Sequence, residues 1–180
     1  MTVWFTADLH LGHGNIIKYC QRPFRDAEHM NTWLVRAWNQ RVKPEDTVLH
    51  LGDFCCRGRE RGVPGVATKA ESWEQVLNGK IIHIRGNHDA NNSVKVALDE
   101  ATIEFNGMSW LLRHRPLYQR EEIPKGCAAV LCGHVHEKWK HIIVEGIPVI
   151  NVGVDARNYM PISKAEVAAV YYRIIKGNKK

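Results

Sequence analysis

Residues 80–89 read KIIHIRGNHD, an apolar run that ends in a glycine and three polar residues. An apolar run of this length before a glycine turn is typical of a short buried strand. Two earlier stretches are also largely apolar and end in an aspartate, since residues 2–8 read TVWFTAD and residues 47–53 read TVLHLGD. We therefore predict three strands, each followed closely by a side chain that can bind a metal ion, at residues 2–6, 47–51 and 80–85.

The other predicted elements follow from apolar spacing in the rest of the chain. Helical spacing of apolar residues predicts a helix at residues 26–41, and we also predict the end of a helix at 72–77, closed by Asn78-Gly79, and a short helix at 94–101. Apolar runs predict further strands at residues 103–105, 108–113, 128–132, 141–144, 147–151 and 167–175, with Asn106-Gly107 as a favoured turn of one hairpin and Glu145-Gly146 as the turn of a second. The Gly- and Arg-rich residues 57–65 predict a loop. The order β-α-β-α-β followed by strands predicts the α/β (α+β) class, in a single domain over residues 1–180.

The composition is that of an ordinary globular chain of 180 residues, 44% hydrophobic and 24% charged, which argues against disorder. The 25 Lys and Arg against 19 Asp and Glu give a net charge of +6, which suits either an anionic partner or a mildly basic surface. No apolar run approaches the roughly 18 residues that span a bilayer, and ionisable residues come too early for a signal peptide. Five cysteines without a C-x-x-C pair favour reduced thiols, so we predict a cytoplasmic protein with no membrane partner.

Residues with ligand chemistry follow five of the predicted strands. These sets are D-x-H at 8–10, G-D at 52–53, G-N-H-D at 86–89, a histidine at 114 and G-H-x-H at 133–136. Ligands gathered at strand ends are how sheets flanked by helices build a site. Carboxylate oxygens together with imidazole nitrogens suit Mn²⁺, Fe or Zn²⁺ better than Ca²⁺ or Mg²⁺. Each set alone is also typical of a turn or a helix cap, whereas all five in this order predict a metal site.

In this order the five sets resemble the motifs of the calcineurin-like metallophosphoesterase superfamily, over residues 8–136. The run DLHLGHGN at residues 8–15 is similar to that of the small bacterial and phage-type members. The resemblance implies a four-layer αββα sandwich of two mixed β-sheets flanked by helices. It also implies two divalent metal ions, with Mn²⁺ as the first choice and Fe, Zn²⁺ or Ni²⁺ as alternatives.

Matched motif by motif, the resemblance implies a ligand set for each ion. Seven residues are the expected ligands: Asp8, His10 and His136 for the first ion, Asn87, His114 and His134 for the second, and Asp53 as a bridge between the two. One departure concerns the fourth motif, because Arg113 precedes the histidine where the family usually has a small residue.

The resemblance further implies hydrolysis of a phosphodiester or a phosphomonoester by a hydroxide that bridges the two ions. His88 is expected to protonate the leaving oxygen, and an imidazole suits this role because its ordinary pKa lies near neutrality. Asp89 has two interpretations, which are orientation of His88 and capping of a following helix. His13, Asn15 and Arg57 lie close to the motifs and are candidates for binding substrate, with solvated loop residues as the alternative.

Three functions are compatible with the motifs, and a departure argues against a fourth. Cys56 stands where the protein-phosphatase branch has an aspartate that supports the catalytic histidine, which argues against protein phosphatase activity. The leading prediction is a phosphoesterase whose partner is a phosphoester substrate, with nucleotides and nucleic acids as candidates. The basic balance and the Arg-rich residues 57–61 favour a small metal-dependent nuclease as an alternative. A non-catalytic scaffold is less favoured, because His88 and every ligand type are present.

Overall fold

The computed structural model describes residues 1–56, 69–91 and 93–177. Its first β-sheet has four strands, in the spatial order Lys80–His83 (β3), Thr47–His50 (β2), Val3–Thr6 (β1) and Ile162–Ser163 (β9). Strands β1, β2 and β3 are parallel, and Thr47 lies opposite both Val3 and Lys80. Strand β9 pairs antiparallel with β1 and makes the sheet mixed. The three strands predicted before the first metal-binding motifs are confirmed.

The second sheet has five strands, in the spatial order Glu100–Phe105 (β4), Met108–Arg113 (β5), Cys127–Cys132 (β6), Ile147–Asn151 (β8) and His141–Val144 (β7). Strands β5, β6 and β8 are parallel, while β4 and β7 pair antiparallel with their hairpin partners. Both hairpin turns consist of two residues with positive φ, Asn106 and Gly107 in one and Glu145 and Gly146 in the other. Such turns match the twist of the paired strands, and both predicted hairpins are confirmed.

Four α-helices accompany the sheets, at Gly14–Tyr19 (α1), Ala27–Arg41 (α2), Ala70–Glu74 (α3) and Lys164–Gly177 (α4). Helix α2 begins where the sequence predicts, because Asp26 caps it and accepts the N–H of His29 at 2.8 Å. The short helix α1 has no counterpart among the predicted elements, and α3 ends earlier than the predicted helix at 72–77. The predicted loop at 57–65 lies outside the described residues. No helix in the described ranges is long and apolar enough to cross a membrane.

Three apolar clusters hold the layers together. On the first sheet Trp4 faces outward, against helices α1, α2 and α3, whereas its neighbour Phe5 faces the second sheet. On the second sheet Trp110 faces inward, whereas its neighbour Leu111 faces outward and packs with Leu117. Successive side chains of a strand point to opposite faces, so each sheet is apolar on both sides. The predicted sandwich of two mixed sheets with flanking helices is confirmed.

The prediction of a strand at 167–175 is wrong, because these residues belong to helix α4. The helix begins with a capping box, in which Ser163 Oγ accepts the N–H of Glu166 at 3.2 Å and Glu166 accepts the N–H of Ser163 at 2.9 Å. Val167 and Ile174 lie two turns apart on one face of the helix. Both are buried in the apolar cluster that contains Phe5 and Trp110. The β-branched residues suggested a strand, but the capping sequence S-x-x-E favoured a helix.

The prediction of a short helix at 94–101 is also wrong. The chain runs extended beside the end of β3, where Ala97 N–H donates to the carbonyl of His83 and Arg85 N–H to that of Leu98, each at 2.9 Å. Strand β4 then begins at Glu100. Backbone hydrogen bonds to a neighbouring segment therefore outweigh the weak helical preference of this stretch.

Asp46 joins the start of β2 to the start of β1. Its Oδ1 accepts the N–H of Thr2 at 2.6 Å, and its Oδ2 accepts the N–H of Lys43 and the indole N–H of Trp4, each at 3.0 Å. These hydrogen bonds, led by that from Thr2, lower the pKa of Asp46 to about 2. The ionised carboxylate is therefore favoured in the folded chain over the unfolded one.

We expect Asp46→Asn to destabilise the fold at neutral pH and to have less effect in acid. The native pKa lies below the unfolded value of about 3.9, so the carboxylate contributes stability above that value and loses it as the pH falls towards 2. The difference between the urea midpoints of wild type and variant should be largest at pH 7 and clearly smaller at pH 2.5. Glu104→Gln, on the exposed side of β4, is the control. An equal midpoint difference at both pH values would contradict the role of the ionised carboxylate.

Candidate metal centre

The carboxyl ends of the parallel strands of both sheets meet at one place. Ala7, just after β1, pairs with Gly153, just after β8, and this bridge joins the two sheets. The N–H of Asp8 donates to the carbonyl of Gly52 at 3.0 Å, and the N–H of Gly133 donates to that of His114 at 2.9 Å. The loops after β1, β2, β5 and β6 are tied together by their backbones, and the loop after β3 joins them because the N–H of His88 donates to Oδ1 of Asp53. The five predicted motifs therefore share one edge.

The backbone is strained at most of the predicted ligands. Five of the seven have a left-handed backbone with φ between 49° and 71°: Asp8, His10, Asp53, His134 and His136. This conformation is unfavourable for residues other than glycine and is found mainly at functional sites. Gly52 has φ of 91°, and a Cβ there would lie 2.5 Å from the Cα of Gly86, so only glycine allows these two loops to approach. The strained backbone directs several ligand side chains towards one point.

Asp53 lies between the two predicted ligand sets. Its Oδ2 is 3.6 Å from Nε2 of His10 and 3.4 Å from Nε2 of His114. Ligand atoms of Asp8, His10 and His136 lie within 4.8 Å of one another, and so do those of Asp8, Asp53 and His114. The structure therefore brings together the predicted set for the first ion, and it places Asp8 within reach of both sets.

The predicted set for the second ion is also assembled. Asn87 Oδ1 lies 2.9 Å from Nε2 of His114, and the ring of His134 lies 5.1 Å from that of His114. The other ring nitrogen of His114 is 2.8 Å from the carbonyl of Leu51. Burial acts to lower the pKa of His114, but the hydrogen bond to Asp53, the charges of Asp8 and Asp53 and the bond to Leu51 outweigh it and raise the pKa. An ion bound at Nε2 of His114 would take the place of a proton there.

The electrostatics of the centre favour neutral imidazoles at His10 and His134 and an ionised carboxylate at Asp53, whereas the pKa values of His114 and His136 are raised. Burial lowers the pKa of His10 well below its usual value, and burial together with the charge of His114 lowers that of His134 to about 4. Burial raises the pKa of Asp8 to about 6. Burial also acts to raise the pKa of Asp53, but His114 and His10 outweigh it and hold the pKa below its usual value. Neutral imidazole and carboxylate are the ligand forms that divalent ions bind.

The buried Nε2 of His10 tests whether these residues fit a metal ion. His10 is only 2% exposed, and its Nε2 has no hydrogen-bond partner among the described residues. A buried polar atom without a partner costs free energy. The atom lies in the Asp8, His10 and His136 group, whose oxygen and nitrogen donors suit a first-row divalent ion. The donor set and the unpartnered nitrogen therefore fit a metal ion.

Arg22 and Asp155 support the centre, and the sequence analysis did not identify either role. Asp155 Oδ2 lies 2.8 Å from Nδ1 of His136, and both its oxygens accept from Arg22, each at 2.8 Å. Arg22 also donates to the carbonyls of Asp8 and Leu9, at 2.6 and 2.9 Å. Both side chains of the ion pair are almost completely buried. The pair fixes the ring of His136 relative to the loop that carries Asp8.

Asn151 holds the loop that carries His136. Its Nδ2 donates to the carbonyls of His136 and Trp139, at 2.8 and 2.9 Å, and its Oδ1 accepts the N–H of Gly153. The run NVGVD at residues 151–155 follows a buried strand. It therefore carries the same signal, a polar residue at a strand end, that identified the other motifs.

His88 and Asp89 occupy different surroundings. The side chain of His88 is 59% exposed, with Nε2 3.9 Å from Asp53 Oδ2, and it lines a cavity of about 300 Å³. Asp89 is buried and accepts the backbone N–H groups of Asp53, Phe54 and Gly86, at 3.0, 3.0 and 2.7 Å. These bonds tie the loops after β2 and β3 together, so Asp89 positions the backbone of the site. Orientation of His88 by Asp89 stays a prediction.

The three candidates for substrate binding lie in different places. His13 lines the same cavity as His88 and His134, and its ring lies 5.5 Å from that of His10. Asn15 is exposed on helix α1 and is not among the residues that line this cavity. Arg57 lies outside the described residues. A contact of any of the three with substrate stays a prediction, and the geometry favours His13.

The match to a family agrees with this geometry. The family model of the calcineurin-like phosphoesterase superfamily domain matches residues 1–170, which include both sheets and all seven predicted ligands. The chain therefore belongs to this superfamily of metal-dependent phosphoesterases. The resemblance that the ordered motifs predicted is confirmed.

The chain is similar to small archaeal and bacterial proteins over most of its length. Protein MJ1445 of Methanocaldococcus jannaschii is 36% identical over 166 residues, which are 89% of this chain and 86% of that protein. The crystal structure of AQ665 from Aquifex aeolicus, a protein of unknown function, has a TM-score of 0.69 and 25% identity, and the match covers 94% of this chain and 98% of that one. The Gene 66 protein of Mycobacterium phage L5 is 35% identical over 86 residues, but these are only 48% of this chain and 39% of the phage protein.

Proposed function

We propose that this protein is a dinuclear metal-dependent phosphoesterase that hydrolyses a phosphodiester or a phosphomonoester. The observation that carries the proposal is the position of Asp53 Oδ2, 3.6 Å from Nε2 of His10 and 3.4 Å from Nε2 of His114. These imidazoles belong to different ligand sets. One carboxylate oxygen close to both is the arrangement that a bridging ligand between two ions requires.

The ligand residues divide into two sets around Asp53. The first ion would be held by Asp8, His10 and His136, and the second by Asn87, His114 and His134. When bound, two divalent ions lower the pKa of water and offset the charge of the phosphoryl oxygens. The mixture of carboxylate, amide and imidazole ligands favours Mn²⁺, with Fe, Zn²⁺ and Ni²⁺ as alternatives.

His88 is the residue best placed to give a proton to the leaving oxygen. It lines the cavity beside the centre, and its ring lies 5.7 Å from that of His10. Its backbone N–H donates to Oδ1 of Asp53 at 2.9 Å, which fixes the residue relative to the bridging carboxylate. An exposed imidazole beside the reacting phosphate is suited to general acid catalysis.

The proposal is tested by hydrolysis of bis-p-nitrophenyl phosphate and p-nitrophenyl phosphate after chelation and after Mn²⁺ is added back. We expect no turnover by the chelated protein and full recovery with Mn²⁺. His88→Ala should lower kcat by about 10²- to 10⁴-fold, the usual contribution of a general acid, while still binding two ions. His141→Ala, at an exposed histidine on β7, is the matched control.

The same assay separates the alternatives. Faster cleavage of the diester supports a phosphodiesterase, and additional cleavage of single-stranded or duplex DNA supports the nuclease alternative. Faster cleavage of the monoester supports a phosphatase. If protein that holds two metal ions hydrolyses none of these substrates, the result would contradict the proposal and favour a non-catalytic scaffold.

A further inference from the structure

We propose that a cavity lined by Arg85, Arg113 and Arg115 binds a second phosphate group of the substrate, next to the phosphate that is hydrolysed. The inference rests on the proposed phosphoesterase function and specifies its substrate class. The substrate would be a phosphodiester whose neighbouring group carries a further phosphate, as in an oligonucleotide or a small bisphosphorylated nucleotide.

The arginine cavity adjoins the metal centre. It has a volume of about 260 Å³, and its lining includes Asn87 and His114, two of the predicted ligands of the second ion. The cavity that contains His88 is a different one, lined also by His10, His134 and His136. Since the general acid lies in that cavity, the reacting phosphate belongs there. A group in the arginine cavity would therefore be adjacent to the reaction and would not take part in it.

The positive charge of the arginine cavity is only partly offset. Arg85 forms an ion pair with Asp99, the only carboxylate that lines the cavity among the described residues. Arg113 forms an ion pair with Glu100, in which Nη1 of the arginine lies 3.6 Å from Oε2 of the glutamate. The buried Nε of Arg113 has no hydrogen-bond partner within the described part of the chain. Arg115 is exposed and forms no ion pair with any described carboxylate. Of the three guanidinium groups, that of Arg115 is therefore available to an anion, whereas those of Arg85 and Arg113 are paired with Asp99 and Glu100.

The position of these charges is unfavourable without an anion. Guanidinium groups next to a site for divalent cations repel those cations. This repulsion by itself weakens the binding of the metal ions. Arg115 directly follows His114 along the chain and lines the cavity together with it and with Asn87. A planar guanidinium presents paired N–H donors that match phosphate oxygens. A phosphate in the cavity offsets the repulsion and gains charge-assisted hydrogen bonds.

The test compares two chromogenic esters that differ by one phosphate. They are thymidine 5′-(p-nitrophenyl phosphate) and the same compound with a 3′-phosphate, both assayed with the Mn²⁺-loaded protein. We expect the 3′-phosphorylated ester to have the higher kcat/KM, by roughly 10- to 100-fold for the gain of charge-assisted bonds. Arg115→Gln should remove most of this preference, and Arg115→Lys should restore part of it. Arg173→Gln, an exposed arginine on helix α4, changes the net charge equally and should keep the preference.

A binding measurement makes the test independent of turnover. Calorimetry should detect thymidine 3′,5′-bisphosphate binding to wild type and its weakening by about tenfold or more in Arg115→Gln. Inhibition of ester hydrolysis by the bisphosphate would indicate a small nucleotide as the source of the second phosphate, and inhibition by oligodeoxythymidylate would indicate an oligonucleotide. Either result supports the proposed phosphate-binding role of the cavity. Equal kcat/KM for the two esters, or an unchanged preference in Arg115→Gln, would overturn the inference. No metal-dependent cleavage of either ester would instead count against the phosphoesterase function, and the calorimetry would then decide the cavity separately.

Discussion

Asp53→Asn is expected to abolish metal-dependent hydrolysis, with a loss on the order of 1,000-fold or more in kcat/KM for bis-p-nitrophenyl phosphate. The substitution keeps the size of the side chain and an oxygen that can accept the N–H of His88, a bond of 2.9 Å in the wild type. It removes the negative charge that lies 3.6 Å from Nε2 of His10 and 3.4 Å from Nε2 of His114. Without that charge a neutral amide has to stand between two dications, so we expect the protein to retain at most one tightly bound ion.

The two readouts for this variant are turnover and metal content. Metal per chain, measured by mass spectrometry after desalting, should fall from two to one or fewer. Glu104→Gln makes the same carboxylate-to-amide change on β4, away from the centre, and should keep both ions. An Asp53→Asn protein that binds two ions and turns over near the wild-type rate would show that Asp53 does not bridge.

The positions of most predicted ligands depend on local signals, which explains why the sequence identifies them. Asp53 directly follows a glycine at the end of a buried strand, and Asn87 and His134 do the same. Parallel pairing then brings strand ends to one edge of a sheet. No local signal in the sequence indicates that the two sheets meet through Ala7 and Gly153. The convergence of both halves of the site was therefore expected only from the family resemblance.

Residues that act through distant partners have no local signal. Arg22 and Asp155 are separated by 133 positions along the chain and meet only in the fold. Helix α4 illustrates a different difficulty, because Val167, Tyr171 and Ile174 are also favoured in strands and intrinsic preferences differ by only tenths of a kcal/mol. Its capping box was the decisive signal.

Helix α1 explains why one candidate for substrate binding, His13, lines the cavity while another, Asn15, does not. His13 precedes helix α1 and lines the cavity, whereas Asn15 lies on the first turn of that helix and is exposed. Neighbouring helical residues point about 100° apart. Since α1 was not predicted, the sequence could not separate the directions of these two side chains.

Removing one partner of the buried Arg22–Asp155 pair is expected to destabilise the fold strongly. Asp155→Leu leaves a buried guanidinium without its carboxylate, and the loss in the free energy of unfolding should be about 3–5 kcal/mol. Arg22→Met leaves the carboxylate with His136 but without its guanidinium partner, and it also removes the bonds to the carbonyls of Asp8 and Leu9. The double variant replaces both charges by apolar side chains and should be more stable than either single variant, as urea unfolding would show.

Metal affinity separates stability from positioning in the same set of variants. Asp155 holds Nδ1 of His136 at 2.8 Å, and loss of such a partner usually weakens metal binding by about 10- to 100-fold. The double variant should therefore recover stability without recovering Mn²⁺ affinity, because no carboxylate orients the ring of His136. Wild-type Mn²⁺ affinity in the stable double variant would show that the ion pair serves the fold alone. Single variants that lose less than about 1 kcal/mol would show that the buried charges are solvated or paired in another way.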